Sequence, residues 1–290
     1  AVFASYLIRL KPSNSVLSEY LYMFFQSDDY WYQVWKNARG GAQPNVNATI
    51  LGQLEFPLPP ISEQKRIVKI LAEQIAAVDR ARAAAEARLE AAQALPFAYI
   101  RESYKTGKII TAPLAKCVDE VKIGVGANWN KYRLLGATKD GIAPAKEGVG
   151  KSPERYKLVD EGTIFYNPMR ILIGSIATVD TGDDPGITSP DYVVLKTKQG
   201  VLHPRWFYYW MRSPMGEQFI KSHARGAVRE RLTFNRLANS KIDIPDWSSQ
   251  QTVAKKMANI MQLVTLISEQ LETISALPRT LLRRAFQGRL

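Results

Sequence analysis

Residues 253–274 read VAKKMANIMQLVTLISEQLETI. The apolar positions Val253, Met257, Ile260, Val264, Ile267, Leu271 and Ile274 advance in alternating steps of four and three. That seven-residue period predicts a helix with one apolar seam turned toward another helix. An earlier stretch has the same habit. There Ile67, Ile70, Leu71, Ile75, Val78, Ala81, Ala85, Leu89 and Ala92 recur mostly at steps of three and four. Its centre is rich in alanine, and small side chains let a partner helix approach closely. Two ordinary amphipathic core helices are the plainer reading. Matched seams at the ends of two similar segments are better explained by antiparallel packing of one on the other.

Working outward, the chain repeats itself. Ala38-Arg39-Gly40 returns as Ala224-Arg225-Gly226. The same displacement lays Ser5–Ile8 on Asp191–Val194, Tyr20–Phe24 on Trp206–Trp210 and Phe56–Pro59 on Ile242–Pro245. It also lays Gln64 on Gln250, Lys69 on Lys255 and Val78 on Val264. Beyond about residue 88 the displacement shortens, matching Ala94-Leu95-Pro96 to Ala276-Leu277-Pro278. The first helix therefore holds a four-residue insertion, a stutter that keeps the helix continuous. Each copy should contain a short apolar strand (6–10, 192–195), an aromatic helix (about 17–36, about 204–222) and a polar glycine loop. A short element ending at prolines and a long closing helix complete it. The prolines mark boundaries because they lack the N–H that a ladder or helix interior needs. Ser62 and Ser248 or Ser249 stand where N-caps belong. Residues 109–186 have no counterpart in the first copy, so its outer face calls for cover from a second copy or another chain.

Composition narrows the function. The 290 residues carry 39 Lys and Arg against 27 Asp and Glu, a net charge of +12, which favours a polyanionic partner. No apolar run is long enough to span a membrane, and no signal-peptide pattern opens the chain. Cys117 is the only cysteine, pointing to a reducing compartment, the cytoplasm. One cysteine and two histidines, His203 and His223, do not make a zinc site of Cys/His type.

Three segments resemble the specificity subunit of type I restriction–modification systems. They are Phe56-Pro57-Leu58-Pro59-Pro60-Ile61-Ser62-Glu63-Gln64-Lys65-Arg66-Ile67-Val68, then Tyr156–Val159 with Gly162 continuing through Tyr166–Arg170 to Gly174–Ile176, and the ending Arg283–Leu290. The resemblance implies an α+β fold, with mixed α/β target-recognition domains joined to long antiparallel coiled-coil spacer helices in a pseudo-twofold repeat. It implies the C-terminal part of a first recognition domain over 1–61 and a first spacer helix over 62–108. A complete second recognition domain over 109–247 and a second spacer helix with its tail over 248–290 follow. It further implies a non-catalytic subunit that reads part of a bipartite double-stranded DNA site without a cofactor. Adenine-methyltransferase subunits, a restriction and translocation subunit, and a second or complementing chain are the implied protein partners.

The candidate DNA-binding residues come from loops. Arg39, Gln43 and Asn45 in the first glycine loop match the frame of Arg225, Arg229 and Arg231 in the second. These types make bidentate contacts to guanine or adenine edges, while a solvated turn is the plain alternative. Lys139, Lys146 and Lys151 are candidates for the phosphate backbone. Residues 145–152 (AKEGVGKS) fit a permissive phosphate-loop pattern, but neither a buried strand before them nor a helix after them is expected. Asn167-Pro168-Met169 is similar to the acceptor motif of adenine methyltransferases without its aromatic, so Asn167 and Arg170 are read as facing DNA or as a strand-to-strand turn. Asp183 and Asp184 read as a turn beside Gly182 and Pro185. The aromatics Tyr20, Tyr22, Phe24, Trp206, Tyr208 and Trp210 are expected in the core. The alternative functions are a nucleic-acid-modifying enzyme acting alone, methyltransferase or nuclease, and a coiled-coil structural protein.

Overall fold

The computed structural model describes residues 7–37, 46–224 and 230–290. The chain divides into two compact units. Unit 1 comprises residues 1–90 and 264–290, and unit 2 comprises residues 91–263.

Unit 1 holds α1 (Ser18–Phe24), α2 (Asp28–Asn37), α3 (Ala48–Gly52) and the first part of α4 (Ile61–Thr106). Its core joins Tyr20 and Phe24 of α1 to Ile67 and Leu71 at the start of α4 and to Leu282, Ala285 and Phe286 at the chain's end. Unit 2 opens with β1 (Ile109–Pro113), α5 (Leu114–Cys117), β2 (Val118–Glu120), β3 (Arg133–Thr138), β4 (Gly141–Pro144) and β5 (Lys157–Val159). It continues with β6 (Thr163–Tyr166), β7 (Ile176–Thr178), β8 (Gly186–Thr188), β9 (Val193–Thr197), α6 (Pro204–Arg212), α7 (Pro214–His223) and α8 (Phe234–Ala238). The chain closes with β10 (Lys241–Pro245) and α9 (Trp247–Phe286). One sheet orders its strands β2-β9-β6-β7, another β4-β3-β8-β5, and β1 pairs with β10. All pairs are antiparallel except β3 with β8. The fold is α+β, as the resemblance implied.

The seams hold. Val253, Met257 and Ile267 are buried on α9, and Val78, Ala85 and Ala92 are buried on α4. Ala81 alone of its series is exposed. Within unit 1 the start of α4 meets the end of α9, and within unit 2 the end of α4, Ile100, shares a core with Val253 and Met257 at the start of α9.

Both units are built around the same polar clamp. Gln64 and Gln250 are each fully buried. Gln64 Oε1 accepts from the Leu17 amide at 2.8 Å, and its Nε2 donates to Ser15 O and Pro59 O at 2.8 Å each. Gln250 does the same with the His203 amide (2.8 Å), Val201 O (3.0 Å) and Pro245 O (2.8 Å). Every partner lies at the repeat's own displacement. One buried amide thus satisfies three backbone groups that no ladder reaches.

Four local expectations change. The two aromatic helices are each broken in two, at Ser27 and Ser213. Both serines are buried, and each hydroxyl donates to the last turn behind it (Phe24 O at 2.6 Å, Trp210 O at 2.7 Å). Each hydroxyl also accepts from the amide ahead (Tyr30, Gly216, both 3.3 Å), which starts a new helix. At the second break the turns approach so closely that a Cβ on Gly216 would stand 2.1 Å from Trp210 O. Residues 7–10 form no strand, and Tyr6 lies outside the described residues. Their counterpart β9 is a strand because β2 and β6 flank it, and no such neighbour exists among the described residues of unit 1. Ser62 lies inside α4, whose first amides, Glu63 and Gln64, donate to Pro60 O. Asp246 rather than Ser248 or Ser249 caps α9. Its Oδ1 accepts from Ser248 Oγ (2.8 Å) and the Ser249 amide (3.1 Å), and its Oδ2 accepts from the Lys108 amide (2.9 Å). Those hydrogen bonds, Ser248's first, hold its carboxyl well below the usual range. Lastly, Tyr22 is 66% exposed whereas the other five aromatics are buried.

Candidate nucleic-acid interface

Three segments of unit 2, distant in sequence, come together at one end of its sheets. The first is the β3–β4 turn, whose residues Lys139 and Asp140 follow Thr138, paired with Gly141. The second connects β6 to β7. There Asn167 Oδ1 accepts from the Met169 amide at 3.0 Å and Asn167 O accepts from the Arg170 amide at 3.0 Å, so the Asn167–Arg170 stretch is a tight turn. A single 3-10 turn, Ile171–Ile173, follows and ends at Gly174. The third is Arg231-Leu232. The Leu232 amide donates to Pro168 O at 2.9 Å, and Arg236 Nη1 donates to Arg231 O at 2.6 Å.

Two contacts tie the first segment to the second. Ser175 Oγ donates to Ala137 O at 2.8 Å, and a Cβ on Gly174 would stand 3.4 Å from Lys139 Cβ. Lys139, Asn167, Arg170 and Arg231 are therefore brought to one surface. Lys139, Arg170 and Arg231 are exposed and make no ion pair among the described residues, while Asn167 is half-buried. Other cations of unit 2 are spent on structure, as in Arg205, whose guanidinium clasps Asp180 and also reaches Ala254 O. Met169 and Ile173 are exposed on the same surface, Ile173 to 75%.

Lys146 and Lys151 do not join this group. They lie in the loop after β4, at the other end of the β3–β4 hairpin, where Leu135 pairs with Pro144. Both are exposed without an ion partner among the described residues, and the Gly150 amide beside Lys151 donates to the Tyr156 hydroxyl at 2.9 Å. The strand before this loop exists, as β4 at the edge of its sheet, but only a 3-10 turn, Pro153–Arg155, follows. The dipole and amide cluster of a phosphate-binding helix are missing there. Arg39, Gln43, Asn45, Arg225 and Arg229 lie outside the described residues. Asp183 forms the expected turn, its Oδ2 accepting from the Asp180 amide at 2.8 Å. No group of three or more His, Cys, Asp or Glu able to hold a metal occurs among the described residues. No described helix is long and apolar enough to cross a membrane.

The sequence reading missed Arg212, which closes α6 and bonds the carbonyl of Lys139. Its signal was faint, a lone cation ending an aromatic helix that reads as core.

The family of the type I restriction modification DNA specificity domain matches residues 1–90 and 151–276. The chain belongs to that family. Among curated relatives, the type I restriction enzyme MjaVIII specificity subunit of Methanocaldococcus jannaschii is 21% identical, covering 100% of this chain and 74% of its own length. The putative type I restriction enzyme MjaX specificity subunit of the same organism is 22% identical, covering 98% of this chain and 71% of its own. Among solved structures, the HsdS subunit from Thermoanaerobacter tengcongensis aligns with a TM-score of 0.55 at 18% identity over 94% of this chain and 70% of that one. A chain from a study of complex assembly in the type I R-M system aligns with a TM-score of 0.66 at 17% identity, over 94% of this chain and 71% of that one. At such identities the structures establish a shared fold. In this specificity-domain chain, the matched residues include the β6–β7 turn and the Arg231 segment.

Proposed function

We propose that this chain is a sequence-reading subunit of a type I restriction–modification complex, and that unit 2 reads one part of a bipartite duplex site. The carrying observation is the convergence of Lys139, Asn167, Arg170 and Arg231 from three segments on one surface, its cations exposed and free of ion partners among the described residues. A structural ion pair would hold such cations, whereas phosphate contact needs them free. Arg170, Arg231 and Asn167 are assigned to base edges, together with Arg225 and Arg229, and Lys139 to the backbone. Lys146 and Lys151 are assigned to backbone further along the duplex, and Arg39, Gln43 and Asn45 to the other half-site. In this reading residues 1–61 belong to a first recognition domain, 62–108 to a first spacer helix, 109–247 to the second recognition domain and 248–290 to a second spacer helix and tail. Methyl transfer and cleavage fall to adenine-methyltransferase and restriction subunits in the cytoplasm. A second copy or a complementing chain covers the open face of unit 1.

Footprinting of the complex assembled with its methyltransferase subunits tests the reading. Arg170→Ala and Arg231→Ala should each cost roughly 1–3 kcal/mol at the proper site and relax one position, while Lys139→Ala should weaken all sequences alike. Unchanged affinity and selectivity in both arginine variants would remove this surface from the interface.

A further inference from the structure

Arg212 is half-buried at the end of α6. Its Nη2 donates to the carbonyl oxygen of Lys139, and its Nη1 donates to the hydroxyl of Tyr208 at 2.8 Å. Its guanidinium carbon also stands 5.3 Å from the centre of the Tyr208 ring, one helical turn earlier. Tyr208 is buried and fits against the same turn, where a Cβ on Gly141 would lie 3.2 Å from the hydroxyl. Gly141 adopts φ +108°, so the turn's shape and its clearance from Tyr208 depend on one residue. The guanidinium thus binds the one turn that carries Lys139, and it makes no ion pair among the described residues. Gln26 holds the corresponding place in unit 1. It lies in the turn after α1, and among the described residues its Nε2 reaches Tyr22 O at 3.4 Å.

We infer that Arg212 is the positioning residue of the DNA-facing surface, fixing the Lys139–Asp140 turn without touching DNA itself. This rests on the reading of Lys139 as a phosphate contact. A planar guanidinium can hold two acceptors in fixed directions, which the single ammonium of lysine cannot. The charge of Arg212 is therefore not what matters; its fork is.

Binding of the chain to a short duplex of mixed sequence, measured across a salt series, separates the possibilities. Phosphate contacts are independent of sequence, so the recognised site need not be known. Lys139→Ala should reduce the slope of log affinity against log salt by about 0.9. Arg212→Gln and Arg212→Lys should reduce it equally, and Lys139→Ala combined with Arg212→Gln should reduce it no further. A merely structural residue would lower the melting temperature and leave the slope alone. Retention of the full slope by Arg212→Lys overturns the inference, because charge alone would then suffice. Additive slopes in the double variant overturn it as well, because Arg212 would then meet phosphate directly. If Lys139→Ala changes nothing, the underlying reading of Lys139 fails and takes the inference with it.

Discussion

Unit 1 and unit 2 share a scaffold and differ in what lies over it. The glutamine clamp and the serine break coincide residue for residue at the repeat's displacement, as do α2 with α7 and α3 with α8, while α6 runs two residues beyond the end of α1. Their outer faces do not. Tyr208 is 8% exposed beneath the β3–β4 turn, whereas its counterpart Tyr22 is 66% exposed. Strand β10 is paired by β1, whereas its counterpart Glu55–Pro59 has no strand partner among the described residues. The scaffold is therefore specified by its own buried polar groups and aromatic rings. The sheet body of unit 2 is a separate layer, and the strands β2 to β8 that build it have no equivalent among the described residues of unit 1.

The clamp gives the sharpest way to break this comparison. Gln250→Ala leaves three backbone groups without their partner, in a setting where Pro245 is itself buried. Each buried group left unpaired costs about 1–3 kcal/mol, so a loss near 3 kcal/mol is expected in denaturant unfolding. Gln64→Ala should cost less, because its acceptor Pro59 is half-buried where Pro245 is buried, while Ser15 and Val201 are both exposed and differ little. Equal losses would mean that the cover contributes nothing to the scaffold.

A smaller effect concerns the aromatic pair beside each clamp. In unit 1 the Tyr20 hydroxyl donates to Pro57 O at 3.0 Å, and the Tyr20 and Phe286 ring centres are 5.3 Å apart. In unit 2 the roles are exchanged. Tyr104 of α4 donates to Asp243 O at 2.7 Å, and its ring centre lies 6.0 Å from that of Trp206. The acceptors correspond, while the hydroxyl has moved from the short aromatic helix to the long helix. Tyr20→Phe should cost about 1 kcal/mol, and adding Phe286→Tyr should return most of it. Failure of that rescue in thermal melts would show the two pairs to be unrelated solutions.

The least effect is one of pH. Asp246 caps α9, and its place in unit 1 is taken by Pro60, which cannot titrate. The carboxyl is held below its unfolded value of about 3.9. Its stabilisation is complete above that value and is lost as pH falls through the lower folded one. Amide protection at the start of α9, taken relative to intrinsic exchange, should fall as pH drops below that value, and Asp246→Asn should abolish the fall. At the start of α4 the titrating group is Glu63, held low by Arg66, so Asp246→Asn should leave its response unchanged.

Much of this was legible in the residues. The seven-residue period revealed both long helices because packing of one helix on another imposes that period on side chains. The match of Gln64 to Gln250 was visible too, though its purpose was not. A glutamine at a helix start looks solvated until the backbone it satisfies is folded over it. The helix breaks carried signals that went unread, since Ser213-Pro214 is a cap followed by a favoured first residue. Of the candidate DNA contacts, the sequence presented Lys139, Lys146 and Lys151 as equals. The hairpin separates them, because a reversal of the chain at residues 139 and 140 sends the later lysines to its far end.

The sequence by itself determined the repeat, the two long helices, the positive charge and the family. Each of these depends on local period, on counted charge, or on residues matched along the chain. Only the tertiary structure decided which cations share a surface, which aromatic is uncovered and which arginine holds a turn. Those properties depend on segments far apart in sequence meeting across a sheet, as Leu232 meets Pro168, and on the direction in which each turn returns the chain.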